Sequence, residues 1–227
     1  MHSKQSVSII TFAFCFVAVT FAAIAQTTPA KPQTKSGSQA NQTVSRTGTC
    51  DLAANFPSHG SLRLHIRSGE VHVEGTSDEK ITVTCESKQS EDISDVRINF
   101  KSNDRNGDLS INGGPHNDFR IMIKIPKRSD LWMRMPAGEL HVMGVQGDKD
   151  VEVHAGEVTL DIGDPGDYRH VDASVNAGEI DAVAFHVNKG GLFRSFSKSG
   201  NGDFRLHAHV GAGQLTLTGQ HESVSSM

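Results

Sequence analysis

The chain has 227 residues and a formal charge of −4 at pH 7, with 6% aromatic residues, one Trp, one Tyr and 22 Gly. That balance lacks the clustered Lys and Arg that a nucleic-acid or anionic-lipid surface requires. So few aromatic residues also argue against an aromatic platform for sugar rings, while the glycines point to a design with many tight corners.

Lys4, the apolar run from Val7 to Ile24 and the small-residue site Ala23-Ile24-Ala25 have the form of a cleavable secretory signal over residues 1–25. A membrane anchor is the competing reading, but polar Ser8 and Thr11 and the Ala-x-Ala site favour cleavage. No later stretch is apolar enough to span a bilayer, so the expected destination is secretion, to a periplasm or the cell surface. Cys15 leaves with the signal. Cys50 and Cys85 remain in a compartment where disulfides form, and one bond between them is expected. Two distant cysteines make a poor metal site, and a redox pair is more often spaced Cys-x-x-Cys.

Residues 26–48 are rich in Thr, Ser, Gln, Lys, Pro and Gly, too polar to offset the entropy of ordering, and read as a flexible linker. They contain one glycosylation sequon, Asn41-Gln42-Thr43. The domain is expected over 49–219, with a polar tail at 220–227. Within it Leu62, Leu64 and Ile66 alternate with Arg63, His65 and Arg67, a half-buried strand pattern, and Val71, Val73 and Ile81-Thr82-Val83-Thr84 continue it. Val96 to Phe100 and Leu109 to Ile111 are strand-like, separated by turn chemistry in which Asn106-Gly107 is the strongest cue. Phe119, Ile121, Ile123 and Ile125 fall on one face, Pro126 to Asp130 breaks the run, and Leu131, Met133 and Met135 resume it as the second member of a strand pair.

From there one phrase recurs: Ala137-Gly138-Glu139-Leu140, Ala155-Gly156-Glu157-Val158 and Ala177-Gly178-Glu179-Ile180. Looser copies begin at Ser68, Asn201 and Ala212. A return about every 20 residues, with two strands to a repeat, is how a stacked architecture reads in sequence. No stretch carries helical spacing over the length a helix needs, so the expected class is all-β, a β-solenoid or β-helix-like stack of short strands.

The order Gly60-Ser61-Leu62-Arg63-Leu64, Ser68-Gly69-Glu70-Val71-His72-Val73, Ile81-Thr82-Val83, then Ile123-Lys124-Ile125-Pro126 and the Gly-acid-apolar ladder through Ala155-Gly156-Glu157 resembles the bacterial putative-adhesin domain family. This is a domain of unknown function, and the resemblance covers Cys50 to Gly219. It implies a β-solenoid-like fold on secreted or surface-attached proteins and brings no catalytic residues.

In a coil with repeats in register, Glu139, Glu157 and Glu179 would form a column at about the 4.8 Å strand spacing. Two readings are open: a Ca²⁺ site built from oxygen ligands, or solvated corner residues with nearby Lys and Arg offsetting their charge. Asp161, Asp164 and Asp167 offer a second cation loop, but without the spacing or closing Glu of a helix-loop-helix calcium site. His72 and His141 take outward positions and His207 and His209 share a strand face, with no third metal ligand at a suitable spacing. Thus no metal or cofactor is assigned. Enzymes acting on acidic polysaccharides also use parallel β-coils, but need acids in unlike environments, whereas equivalent repeat positions predict equivalent ones. No hydrolase, zinc-protease or phosphate-loop motif is present. The expectation is a non-enzymatic envelope module that binds a surface glycan or another envelope protein. A carbohydrate-active enzyme and a purely structural envelope component stand as alternatives.

Overall fold

The computed structural model describes residues 41–87, 93–115 and 118–219. The expected signal, most of the expected linker and the 220–227 tail lie outside them. Thirteen strands follow in order: β1 (Gln42–Thr47), β2 (Asp51–Asn55), β3 (Gly60–Ile66), β4 (Glu70–Thr76), β5 (Lys80–Ser87), β6 (Arg97–Asn103), β7 (Asn106–Asn112), β8 (Phe119–Pro126), β9 (Ser129–Met143), β10 (Lys149–Asp161), β11 (Tyr168–Ala182), β12 (Val187–Ser199) and β13 (Phe204–Thr218). The other regular elements described are two 3-10 turns, Pro165–Asp167 and Val183–Phe185, so the protein is all-β. Among the described residues no helix is long and apolar enough to cross a membrane.

The alternation read in the sequence is the alternation that is buried. Leu62, Leu64, Ile66, Ile121, Ile123, Ile125, Leu131, Met133 and Met135 are all at most 2% exposed, because successive side chains of a strand point to opposite faces and only one face is covered. The strands form one unclosed mixed sheet in the order β1-β6-β7-β3-β9-β10-β13-β11-β12. The front half of β9 pairs with β3 and its back half with β4, and β4, β8, β5 and β2 continue that second half. The sheet is thus creased into two leaves whose apolar faces share one core.

The crease runs through the recurring Ala-Gly. Strands β9, β10, β13 and β11 pair in parallel with Gly138, Gly156, Gly213 and Gly178 aligned across them. Gly156 sits at φ +142° and Gly178 at φ +141°, where side chains are rarely tolerated, and a Cβ on either would collide with the carbonyl oxygen of Gly138 or Gly213 respectively. The repeated glycine is therefore what lets consecutive corners stack.

Several expectations change. Each copy is not two short strands but one bent strand of 13 to 15 residues, because the Ala-Gly corner redirects the chain without breaking its pairing. The copies do not stack in chain order: β13 inserts between β10 and β11. Gly202 lies before β13 and not at a corner, a place taken by Gly213. The linker ends earlier than expected, since Gln42–Thr47 pairs antiparallel with β6, Val44 opposite Phe100 and packed against the core. Strands β8 and β9 do not pair with each other but lie in different leaves, β8 between β4 and β5 and the front of β9 between β3 and β10. The turn between β6 and β7 is Asp104-Arg105, with Asp104 at φ +52°. Asn106 and Gly107 instead open β7, where a Cβ on Gly107 would press on Phe56, Leu62 and Phe100. Cys50 and Cys85 form the disulfide, with Cα atoms 5.3 Å apart.

Candidate functional site

Register alignment turns the outward positions of each leaf into rows that cross the strands about 4.8 Å apart. On the back leaf one row reads Arg120, Glu70, Glu139, Glu157, Gln214, Glu179. Glu139 and Glu157 are therefore neighbours as expected, but inserted β13 places Gln214 between Glu157 and Glu179, so the three-acid column does not exist. Glu70, from a looser copy, extends the row at its other end.

The members of this row differ in how their charge is met. Glu70 Oε1 accepts from His72 Nε2 and Arg120 Nη2, both at 2.8 Å. These two contacts, His72 first, hold its carboxyl down at about 2. Glu179 accepts from Asn188 Nδ2 at 3.0 Å. Among the described residues, the carboxylates of Glu139 and Glu157 make no hydrogen bond or ion pair, although the Glu139 amide donates to the Gly69 carbonyl. His72 and His141 stack in the adjacent row with centroids 4.7 Å apart. No group of three or more His, Cys, Asp or Glu among the described residues is placed to hold a metal ion. The Asp161 and Asp164 carboxylates accept from the amides of Gly163 at 3.0 Å and Gly166 at 2.7 Å, which makes them turn formers.

The front leaf carries the richer arrangement. One outward row reads Arg63, Trp132, Asp150, His207, Asp172 across β3, β9, β10, β13 and β11. The next reads His65, Arg134, Glu152, His209, Ser174. The Arg134 guanidinium lies 4.0 Å from the Trp132 ring centre. It is fixed there by Asp150 at 2.9 Å and Glu152 at 3.0 Å, and by the carbonyls of Met133 and Asp150. His65 flanks the same indole at 4.9 Å. Half-buried Trp132 is thus held on the solvent side of the sheet with its orientation set in advance.

Beside it runs an open groove of about 490 Å³. Its rim carries Trp132, Asp130, Asp148, Asp172, His170 and His207. Asp148 bonds the Arg205 amide at 2.7 Å and lies 3.9 Å from Arg169, and its own amide donates to Asp130 at 2.9 Å. Among the described residues, the side chains of Asp172, His170 and His207 make no hydrogen bond or ion pair.

Under this end of the front leaf, Lys149 takes an inward position between Leu131 and Leu206 and is 2% exposed. Its Nζ donates to Tyr168 Oη at 2.7 Å. Burial pushes the ammonium down to about 8 and pushes the phenol up.

The sequence carried a signal for both features. Trp132 falls between inward Leu131 and Met133 and must face out, and Lys149 falls two before Val151 and must face in. What the sequence lacked was the row that joins Trp132 to Asp150, His207 and Asp172, since these come from four strands in non-sequential order.

No protein-family model matches the chain, and no curated protein matches it. Among solved structures, a putative cell adhesion protein from Clostridium sporogenes is similar, with a TM-score of 0.47 and 14% identity, covering 79% of this chain and all of that one.

Proposed function

We propose that this is an exported, non-enzymatic, adhesin-like module of the cell envelope, a β-solenoid-like coil whose polar outer faces bind a surface ligand, either a glycan or another envelope protein. The observation that carries the reading is the front-leaf row of unlike side chains, Arg63 to Asp172, presented in register beside an open groove. Such a surface offers many polar contacts over a long, shallow footprint. Hydrolysis would instead want two acids in unlike environments converging on one bond. Here Asp150 is committed to Arg134 and Asp148 to Arg205.

The test is the melting temperature of the full chain with polysaccharides, envelope proteins and divalent cations, with a chelator control. A ligand present at about a hundredfold excess over its Kd adds about 2.7 kcal/mol, a shift of about 5 to 10 °C at this size. A shift with a glycan or protein supports the module. A shift with Ca²⁺ alone, reversed by chelator, moves the function to Glu139 and Glu157. Turnover of a glycan that Glu157→Gln abolishes would replace the reading with an enzyme, and a flat panel would replace it with a purely structural component.

A further inference from the structure

We infer that the groove beside Trp132 binds a neutral saccharide of two to three pyranose units, an assignment that rests on the binding-module reading above. Four features of the groove select this chemistry.

The first is the fixed indole. Trp132 is held by a guanidinium that is itself bound to two carboxylates and two carbonyls, so little side-chain entropy is lost when a ligand stacks on it. So few aromatic residues exclude an extended platform, but one indole, with Arg134 over one side and its groove-lining side left to a ligand, offers an apolar surface for the C–H face of a single pyranose. The second is the set of free polar groups. Asp172, His170 and His207 line the groove without internal partners among the described residues. A carboxylate accepts from hydroxyls, and a neutral imidazole both donates and accepts, which suits a ligand made of hydroxyl groups.

The third is charge. Asp130, Asp148, Asp150 and Asp172 are met by the lining Lys149 and Arg205 and by the paired Arg134 and Arg169, so the groove carries no net charge for a uronate, a sulfated sugar or a cation to complement. A cationic ligand is disfavoured at the indole, because Arg134 already lies 4.0 Å from the ring centre and Arg63 at 5.9 Å. A neutral ligand meets neither objection. The fourth is length. From Trp132 through Asp150 and His207 to Asp172 is three strand spacings, about 14 Å, which matches a short oligosaccharide lying across the strands rather than a single ring.

Trp132 is the sole tryptophan of the chain, so its emission reports this groove directly. The full chain is titrated with gluco-, manno-, galacto- and N-acetylglucosamine oligosaccharides, and with oligogalacturonate as the anionic control. At least one neutral series should change the emission saturably and register in calorimetry. By calorimetry Trp132→Ala should weaken that sugar at least about tenfold, and Trp132→Phe should retain part of the affinity. Asp172→Ala and His207→Ala should each weaken it several-fold, with melting curves that match the parent. The inference is overturned if no neutral oligosaccharide perturbs Trp132, if oligogalacturonate is preferred, or if a bound neutral sugar is indifferent to Trp132→Ala. Should a glycan or envelope protein bind the chain without involving Trp132, this assignment fails while the module reading stands; should nothing bind, both fail.

Discussion

Raising the pH from 7 to 10 should stabilise this fold by about 2 kcal/mol, mostly through Lys149. The side chain occupies a core position between Leu131 and Leu206, and its Nζ contacts are Tyr168 Oη at 2.7 Å and the Gly147 carbonyl at 3.3 Å. Burial lowers its titration from the ordinary 10.5 to about 8, against the upward pull of Asp161, Asp148 and other carboxylates. The folded chain therefore releases this proton near pH 8, while the unfolded chain keeps it until about 10.5. Between those values the unfolded state binds more protons, so stability increases with pH. At about 1.4 kcal/mol per pH unit the full interval is worth about 3.5 kcal/mol. Tyr168 opposes the last part: burial raises its phenol above 10, so the unfolded chain ionises first and stability falls again above that pH. The assay is urea unfolding at pH 7, 8, 9 and 10 for the parent and Lys149→Met. Methionine keeps the length and apolar stem but cannot titrate, so the variant should lose the rise between pH 8 and 10. Equal slopes for the two proteins would refute the argument.

Other consequences are open to direct measurement. Gly156→Ala forces a side chain into φ +142° and against the Gly138 carbonyl, so it should destabilise by at least about 3 kcal/mol or prevent folding, read from thermal melts. Reducing the Cys50–Cys85 bond, which closes a separation of 35 residues, should cost about 4 kcal/mol on the chain-entropy model; unchanged denaturation midpoints with reductant would contradict it. The depressed Glu70 carboxyl contributes stability above its ordinary 4.5 that is lost as the pH falls towards 2. In an NMR titration Arg120→Gln should move the Glu70 midpoint upwards, and an unmoved midpoint would exclude the ion pair. Glu157→Gln removes a like-charge neighbour of Glu139 and should raise stability by about 1 kcal/mol or less at low salt, with the gain fading as salt increases.

How much of this was legible beforehand differs from residue to residue. Alternation named the buried set correctly along β3, β4, β8 and β9, because a two-residue period leaves a half-covered strand no other way to hide Ile121, Ile123 and Ile125. The Ala-Gly-acid phrase likewise marked the corners at Gly138, Gly156 and Gly178, and its looser copy the corner at Gly213, where φ and crowding both require glycine. The same phrase could not give the order of the rungs. Gln214 and Glu179 follow equivalent glycines, so nothing local distinguishes β11 from β13 as the neighbour of β10.

The sequence by itself thus determined the all-β class, the inward and outward faces, the corners and the paired cysteines, all of which depend on short-range periodicity or residue chemistry. Only the tertiary structure decided that β13 lies between β10 and β11, which breaks the acid column and completes the row from Trp132 to Asp172. The physical reason is that near-identical rungs offer near-identical hydrogen bonds to any neighbour. Their order is then fixed by side chains that meet only once the leaves have packed.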